Sequence, residues 1–227
     1  TSNYTTSVSF IDSCGKVVQK KRLLPVKEGE RGIRQSDAVF HHSKAYPELI
    51  KELFDGVNEE ISAVGCSYAP TTEKGSYMPC FLSGVAVANS ISKVMNVPLY
   101  TFSHQQGHIA AALFSAGRLD LLGERFIAFH VSGGTTEVLR VTPNGTDISC
   151  CLIGQTEDIN AGQAIDRVGV AMGLKFPCGV ELEKLAKEFE GKIYSHPVCV
   201  RDGECSLSGA ENIALKIYRE SGDKSAA

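Results

Sequence analysis

The chain contains no tryptophan and no long apolar run. The missing tryptophan excludes no class of protein. The short apolar runs are more informative, since the longest of them, such as residues 126–131, span only a few residues. A helix that crosses a bilayer needs about 20 apolar residues. The sequence therefore predicts a protein without a membrane-spanning helix and without a membrane partner.

A strong excess of charge of either sign is also missing. The formal net charge is −3 over 227 residues, so the sequence does not predict the overall basic field of a nucleic-acid binder. Any contact with RNA would have to be local. The one dense basic stretch is interpreted as the charged, solvated edge of a hairpin. It consists of Lys16, Lys20, Lys21, Arg22 and Lys27.

The eight cysteines include no C-x-x-C pair and no spacing typical of a zinc ribbon. A chain of this length does not need disulfides to support its core, and it shows no secretory leader. We therefore expect reduced thiols and a cytoplasmic location. The cysteines are Cys14, Cys66, Cys80, Cys150, Cys151, Cys178, Cys199 and Cys205.

The composition is that of a globular protein, with 43% hydrophobic and 22% charged residues. A strand hairpin followed by helices is predicted in both halves, which is the α/β pattern of a duplicated domain. The predicted strands cover residues 7–12, 17–26, 61–68, 97–101, 126–131, 137–141 and 147–153. The predicted helices cover residues 36–54, 79–95, 104–116, 158–173, 180–190 and 208–220.

Three local features of these helices are expected from side-chain chemistry. Ser36 and Asp37 are the predicted N-cap of the first helix, and Asp158 can cap the helix that follows it. Pro47 lies inside the first helix, where it predicts a kink or a restart because proline has no N–H to donate.

His104 and His108 lie four residues apart on a predicted helix. This spacing puts both imidazoles on one face, close enough to share a divalent metal ion. Taken alone, such a pair is more often incidental. A zinc protease of the H-E-x-x-H type needs a glutamate next to the first histidine as its base, and here that position holds Gln105. Gln105 therefore argues against peptide hydrolysis.

Two further segments are candidates for binding a nucleotide. The turn Val131-Ser-Gly-Gly-Thr-Thr136 joins two strands, and its glycines leave N–H groups that can wrap a phosphate chain, although in isolation a plain hairpin is the more common explanation. Asp166 lies beside an apolar helical stripe, where it can accept hydrogen bonds from ribose, pair with Arg167 or face water. Gly179 at a helix start allows close backbone approach to an anion or a sugar.

These segments, in this order, resemble the tRNA adenosine threonylcarbamoyltransferase family, also called the TsaD family and formerly described as O-sialoglycoprotein endopeptidase. The resemblance covers essentially the whole chain. Its most specific part is His104-Gln-Gln-Gly-His108, which is similar to the family's H-x-x-G-H motif. The other matching segments are Thr1-Ser2 with Thr5-Thr6, Gly75 through Gly84, His130-Val-Ser-Gly-Gly134, Asp166, Gly179 and Ser206-Leu-Ser-Gly209.

The resemblance implies an actin-like ATPase fold, as in sugar kinases and Hsp70, with two related α/β lobes over residues 1–102 and 103–227. It implies that His104 and His108 hold iron or zinc, and that ATP or threonylcarbamoyl-adenylate is the ligand. Expected partners are tRNA and either proteins of a threonylcarbamoylation complex or a second copy of the chain. The residues implied to contact the nucleotide are His130, Val131, Ser132, Gly133, Gly134, Asp166 and Gly179.

The chain also departs from the family pattern. Gln106 replaces the usual acidic residue before Gly-His, Thr135 replaces the usual histidine after Ser-Gly-Gly, and Cys178 replaces the first of two glycines after proline. The family's C-terminal segment, with an asparagine for the nucleotide and an aspartate for the metal, has no counterpart in the 227 residues. Either these residues are a fragment of a longer protein or the site is incomplete, and the combination is more typical of a diverged paralogue.

Three functions follow as hypotheses. The first is transfer of threonylcarbamoyl from its adenylate to an adenosine beside the tRNA anticodon. The second is a non-catalytic nucleotide-binding scaffold of the same family. The third is a metalloprotease, which Gln105 disfavours.

Overall fold

The structure is a computed structural model that describes residues 1–2, 4–25, 33–57, 59–191 and 199–226. Two sequence predictions fall outside this range. The predicted end of the second strand at Val26 and the last lysine of the basic stretch, Lys27, both lie outside the described residues.

The chain divides into two compact units. The first comprises Thr1–Leu122 with Gly145–Ser149, and the second comprises Gly123–Asn144 with Cys150–Ala227. The helix that carries His104 belongs to the first unit, because it packs against the strands that precede it. The predicted division of the whole protein into lobes at residue 102 stays a prediction.

The first unit contains two small sheets and three helices. In one sheet, β1 and β2 form an antiparallel hairpin, and in the other, β3 and β4 are parallel. Helix α1 packs on the hairpin and α2 packs on β3. The elements are β1 (Thr5–Ile11), β2 (Val17–Leu23), α1 (Gln35–Phe54), β3 (Val64–Ala69), α2 (Cys80–Met95), β4 (Leu99–Ser103) and α3 (His104–Ser115).

The second unit is built on a mixed five-stranded sheet of order β5-β6-β7-β9-β8. Strands β5 and β6 are antiparallel, whereas β7 and β9 are parallel. A 3-10 helix at Leu119–Gly123 precedes this sheet. The elements are β5 (Phe126–Val131), β6 (Thr136–Asn144), β7 (Asp147–Thr156), α4 (Ala161–Ala171), α5 (Gly179–Glu188), β8 (Val200–Arg201), β9 (Glu204–Cys205) and α6 (Ser208–Ser221). The predicted α/β class is thereby confirmed.

The predicted N-cap of α1 is wrong, although the helix lies within one residue of its predicted bounds. The helix begins at Gln35, Arg34 is its N-cap, and no side chain caps it. Ala38 explains the earlier start, since its N–H donates to Arg34 O at 2.9 Å and its side chain is fully buried. Burial in the core outweighs the capping preference of Ser36 and Asp37. The helix does not restart at Pro47.

The predicted cap of α4 is also wrong. Asn160 is the N-cap, and its N–H donates to Gln163 Oε1 at 3.1 Å. Asp158 lies two residues earlier and turns instead toward α6, as described below. The helix therefore starts three residues later than its polar pattern predicts.

All eight cysteines lie within the described residues, and none of them forms a disulfide there. Among the helices in the described part of the chain, none combines the length and the apolar character that crossing a membrane requires.

Candidate metal and nucleotide sites

The histidine pair lies at the start of α3. Ser103 ends β4 and caps α3, because its Oγ accepts from the N–H of Gln106 at 3.1 Å. The helix therefore begins at His104, and His108 follows one turn later. The two Nε2 atoms are 3.0 Å apart and the ring centroids are 4.3 Å apart. The predicted shared face is confirmed.

This geometry fits two neighbouring positions of a metal ion. The two Nε2 atoms are within hydrogen-bond distance of each other, and both nitrogens would be close enough to bind the same ion. Across the described residues, no three His, Cys, Asp or Glu side chains cluster as a metal site. The pair therefore offers two ligands, and the described residues do not complete the set.

Both glutamines between the histidines are buried. Gln105 and Gln106 face the core while His108 is exposed and His104 is half-buried. His104 also meets the ring of Phe81 edge-on, with centroids 5.9 Å apart. The buried amide of Gln105 stands where a protease would hold its carboxylate base, and an amide cannot take up a proton.

The glycine turn between β5 and β6 is exposed. It is closed by the Ser132 N–H, which donates to Thr135 O at 2.7 Å, and by the Gly134 N–H, which donates to Ser132 Oγ at 3.1 Å. A Cβ built on Gly133 or Gly134 would meet no atom within 4 Å. Space for a ligand therefore exists on the outer side of both glycines.

The start of α4 donates two hydrogen bonds to this turn and to the first residue after it. The Ala161 N–H donates to Thr136 Oγ1 at 2.8 Å, and the Gly162 N–H donates to Ser132 O at 3.1 Å. A Cβ on Gly162 would lie 2.7 Å from backbone atoms of Gly133, so this position requires glycine. Gly162 was not predicted from the sequence, although a glycine in the first turn of a predicted helix was a signal of close packing.

The two residues before the turn point to opposite faces of the hairpin, since side chains alternate along a strand. His130 is paired with Glu137 across the strands, and its Nδ1 lies 3.4 Å from Glu137 Oε2. The side chain of Val131 is exposed. Only one of these two residues can therefore share a face with a ligand through its side chain.

Asp166 and Gly179 are brought together at the start of α5. Asp166 Oδ1 accepts from the N–H of Cys178 at 2.8 Å, and Cys178 is the residue that precedes α5. Asp166 thus uses one oxygen to hold the backbone beside Gly179, while a role toward ribose stays a prediction. Arg167 instead forms an ion pair with Glu211, in which Arg167 Nη1 lies 3.4 Å from Glu211 Oε2.

One face of α4 therefore collects the second-unit candidates. Gly162 contacts the glycine turn and Asp166 holds the start of α5, and four residues along a helix correspond to about 6 Å. Gly169, a further turn along the same face, lies against the side chain of Cys178. Two glycines and an aspartate on one face of α4 thus contact both the glycine turn after β5 and the loop before α5, which are distant in sequence.

Asp158 anchors the segment Ser206-Leu-Ser-Gly209. Its carboxylate accepts from Ser206 Oγ at 3.0 Å and from the N–H groups of Leu207 and Ser208 at 2.9 and 3.0 Å. It also accepts from Thr156 Oγ1 at 3.1 Å. Hydrogen bonds from the Ser208 side chain and the Leu207 backbone hold the pKa of Asp158 well below its usual range. Asp158 therefore caps α6.

The opening segment is held by a histidine that was not predicted from the sequence. His42 of α1 is fully buried, with Nδ1 2.7 Å from Thr6 Oγ1 and Nε2 2.9 Å from Ser2 O. Since a carbonyl only accepts, Nε2 carries the proton and Nδ1 accepts from Thr6. Burial lowers the pKa of His42, which keeps the ring neutral.

The histidine pair belongs to the first unit and the nucleotide candidates belong to the second. The distances given for the candidates join residues of one unit only.

Comparison with known proteins identifies the family. The family model described as TsaD, tRNA N6-adenosine threonylcarbamoyltransferase, matches residues 17–223. The chain belongs to this family.

Named relatives carry the same description. A tRNA N6-adenosine threonylcarbamoyltransferase of Ligilactobacillus salivarius is 33% identical over 190 residues, which is 80% of this chain and 51% of the relative. Another, of Methanopyrus kandleri, is 27% identical over 96% of this chain and 60% of the relative. The chain thus spans about half the length of the relatives it matches. The solved structure of YeaZ from Pseudomonas aeruginosa aligns with 65% of this chain and 60% of its own, at 12% identity and a TM-score of 0.41, which is a weak likeness.

Proposed function

We propose that the chain contributes to a tRNA adenosine threonylcarbamoyltransferase of actin-like fold. The observation that carries the proposal is the pair of Nε2 atoms 3.0 Å apart at the family's H-x-x-G-H motif. The family match over residues 17–223 supports it. In this reaction the N6 amine of an adenosine beside the anticodon attacks the carbamoyl carbon of threonylcarbamoyl-adenylate. The bond to AMP breaks and the amine loses a proton to solvent.

The histidines would hold iron or zinc and orient the threonylcarbamoyl group. When bound, the metal ion supplies polarisation of a carbonyl as a Lewis acid. His104 and His108 provide two neighbouring ligand positions, and the capped start of α3 fixes their side chains relative to β4. This reaction depends on the positioning of two reactants more than on a strong base.

The second unit would hold the adenylate. The N–H groups of Ser132 and Gly134 already donate within the exposed turn, so the Gly133 N–H and the Ser132 hydroxyl would be its groups for phosphate. Asp166 keeps one carboxylate oxygen for the Cys178 N–H and would offer the other to ribose, with Gly179 allowing close approach. Of His130 and Val131, which point to opposite faces of the hairpin, one would contact the phosphate end through its side chain and the other would contribute only its backbone. Partners of this function would be tRNA and proteins of a threonylcarbamoylation complex, or a second copy of the chain.

A transfer assay tests the proposal. The chain is incubated with threonylcarbamoyl-adenylate and unmodified tRNA, and threonylcarbamoylated adenosine is measured by mass spectrometry of the digested nucleosides. We expect product with the wild-type chain plus iron or zinc, and none with the variant H104A/H108A. Equal product from both proteins would contradict the assignment of the metal site.

A scaffold that binds nucleotide without turnover is the second candidate. Gln106, Thr135 and Cys178 replace residues usual in the family, and the described residues supply only two metal ligands. Adenylate binding by calorimetry without product in the transfer assay would favour this scaffold. A third candidate, metalloprotease activity, requires a base that Gln105 cannot provide, and chelator-sensitive cleavage of a glycoprotein would be needed to support it.

A further inference from the structure

Gln106 lies between the two histidines and is only 3% exposed. Both hydrogens of its side-chain nitrogen and its side-chain oxygen have hydrogen-bond partners. Oε1 accepts from the N–H of Ser103 at 2.6 Å, while Nε2 donates to Asp147 Oδ2 at 2.9 Å and to Ile148 O at 2.5 Å. An amide nitrogen carries two hydrogens, so both have an acceptor.

Asp147 and Ile148 begin β7 and belong to the first unit through the segment Gly145–Ser149. The second oxygen of Asp147, Oδ1, accepts from the N–H of Ile148 at 2.8 Å. One carboxylate therefore holds its own backbone and the amide of Gln106 together. The side chain of Ile148 is buried, which fixes this segment against the first unit.

A carboxylate at position 106 would not fit these surroundings. It could still accept from the N–H of Ser103, and acidic residues are favoured at this position of a capping box. It could not donate to Asp147 or to Ile148 O, and it would place two negative charges together in a buried position. Residues 106 and 147 are therefore chemically matched as an amide and a carboxylate.

We propose that Gln106 is a positioning residue that fixes the His104–His108 pair against the segment 145–149, with Asp147 as its matched partner. The proposal rests on the metal site of the proposed function. Gln106 lies between the two histidines on α3. Its hydrogen bonds therefore fix how closely this part of the helix approaches the segment 145–149 and how it is rotated about the helix axis, and these two quantities set the positions of both imidazoles. The chain departs from the family pattern at position 106, and Asp147 supplies the acceptor that this glutamine requires.

The test is titration of the intact chain with NiCl2, since imidazole pairs bind nickel and the probe needs no third protein ligand. The site-specific affinity is the difference between the wild-type chain and H104A/H108A. We expect Q106E to weaken this affinity about 10-fold, which corresponds to a coupling within the range measured for contacting residues. We expect Q106E/D147N to return it to within about 3-fold of the wild type, because the amide that replaces the Asp147 carboxylate can donate to the new carboxylate at position 106.

The matched control is Q163E. Gln163 holds the corresponding capping position of α4, where its Oε1 accepts from the N–H of Asn160. A glutamate serves that cap equally well. Q163E should therefore leave nickel affinity unchanged. Urea unfolding of each variant shows which proteins are folded at the titration temperature.

The outcomes separate this proposal from the proposed function. Wild-type affinity no higher than that of H104A/H108A would overturn both. Clear wild-type binding with unchanged affinity in Q106E, or no recovery in Q106E/D147N, would overturn the positioning role alone. If Q106E does not fold, D147N with Gln106 intact replaces it, and about 3-fold weaker nickel binding supports the proposal while wild-type binding overturns it.

Discussion

Helices α3 and α4 begin with the same capping arrangement. Each helix follows extended backbone, and each has a polar N-cap, Ser103 or Asn160, with a glutamine three residues later. At α3 that glutamine is buried and tied to a separate segment, and the helix presents two side chains outward. At α4 the helix backbone itself holds an exposed loop.

This difference indicates how each site would meet a ligand. The histidines of α3 are preorganised by a buried amide before any ligand arrives. The glycine turn is held by its own hydrogen bonds and by the start of α4, while its outer side is exposed. Preorganised groups lose less freedom on binding than exposed loops do. The predictions below test this contrast, beginning with the largest expected effect.

Replacing a glycine by alanine should change the free energy of unfolding in opposite directions in the two helices. In G162A the new Cβ would lie 2.7 Å from backbone atoms of Gly133, so the turn must shift, and we expect a loss of about 1–3 kcal/mol in the free energy of unfolding. In G107A the Cβ meets no atom within 4 Å, and we expect a gain of up to about 1 kcal/mol from helix propensity. Urea denaturation measures both, and a loss in G107A would contradict the contrast.

Asp158 should make the stability of the chain depend on pH. Its folded pKa is depressed, so its contribution is present in full above the unfolded value of about 3.9 and is lost as the pH falls toward the folded pKa. D158N should be less stable than the wild type at pH 7, and the difference should narrow below about pH 4. Urea midpoints from pH 7 to pH 3 give the comparison. Curves that stay parallel throughout would show that the carboxylate charge is irrelevant.

Two substitutions of Asp166 should distinguish its capping of α5 from its role in ligand binding. D166A removes the acceptor of the Cys178 N–H, and we expect a loss of about 1 kcal/mol in the free energy of unfolding. Asparagine caps nearly as well as aspartate, so D166N should change stability by only a few tenths of a kcal/mol. Under the proposed function, D166N still weakens adenylate binding, which calorimetry detects. Equal stability losses in both variants would mean that the charge, not the cap, matters.

The histidine pair should matter least for stability. His108 is exposed and His104 only half-buried, and alanine favours the helix at both positions. We expect H104A/H108A to unfold within about 0.5 kcal/mol of the wild type. Thermal unfolding checks this. A large loss would show that the pair is a packing element of α3.

The sequence predicted elements well where local pattern dominates. Helices α2 and α3 and strand β5 lie within about one residue of their predicted bounds. The sequence failed where packing decides, as for the N-cap of α1 and the start of α4. The candidate sites follow the same division. The closeness of His104 and His108 follows from helical spacing, whereas the contacts of Gly162 and Asp158 join parts of the chain that the pattern does not relate.

The sequence by itself determined the family, the α/β class and the shared face of the two histidines, because ordered motifs and a four-residue spacing are local properties. The tertiary structure alone decided which helix Asp158 caps, that Gly162 supports the glycine turn, and that Gln106 meets Asp147. These contacts depend on burial and on the approach of segments distant in sequence. Spacing along the chain carries no information about either.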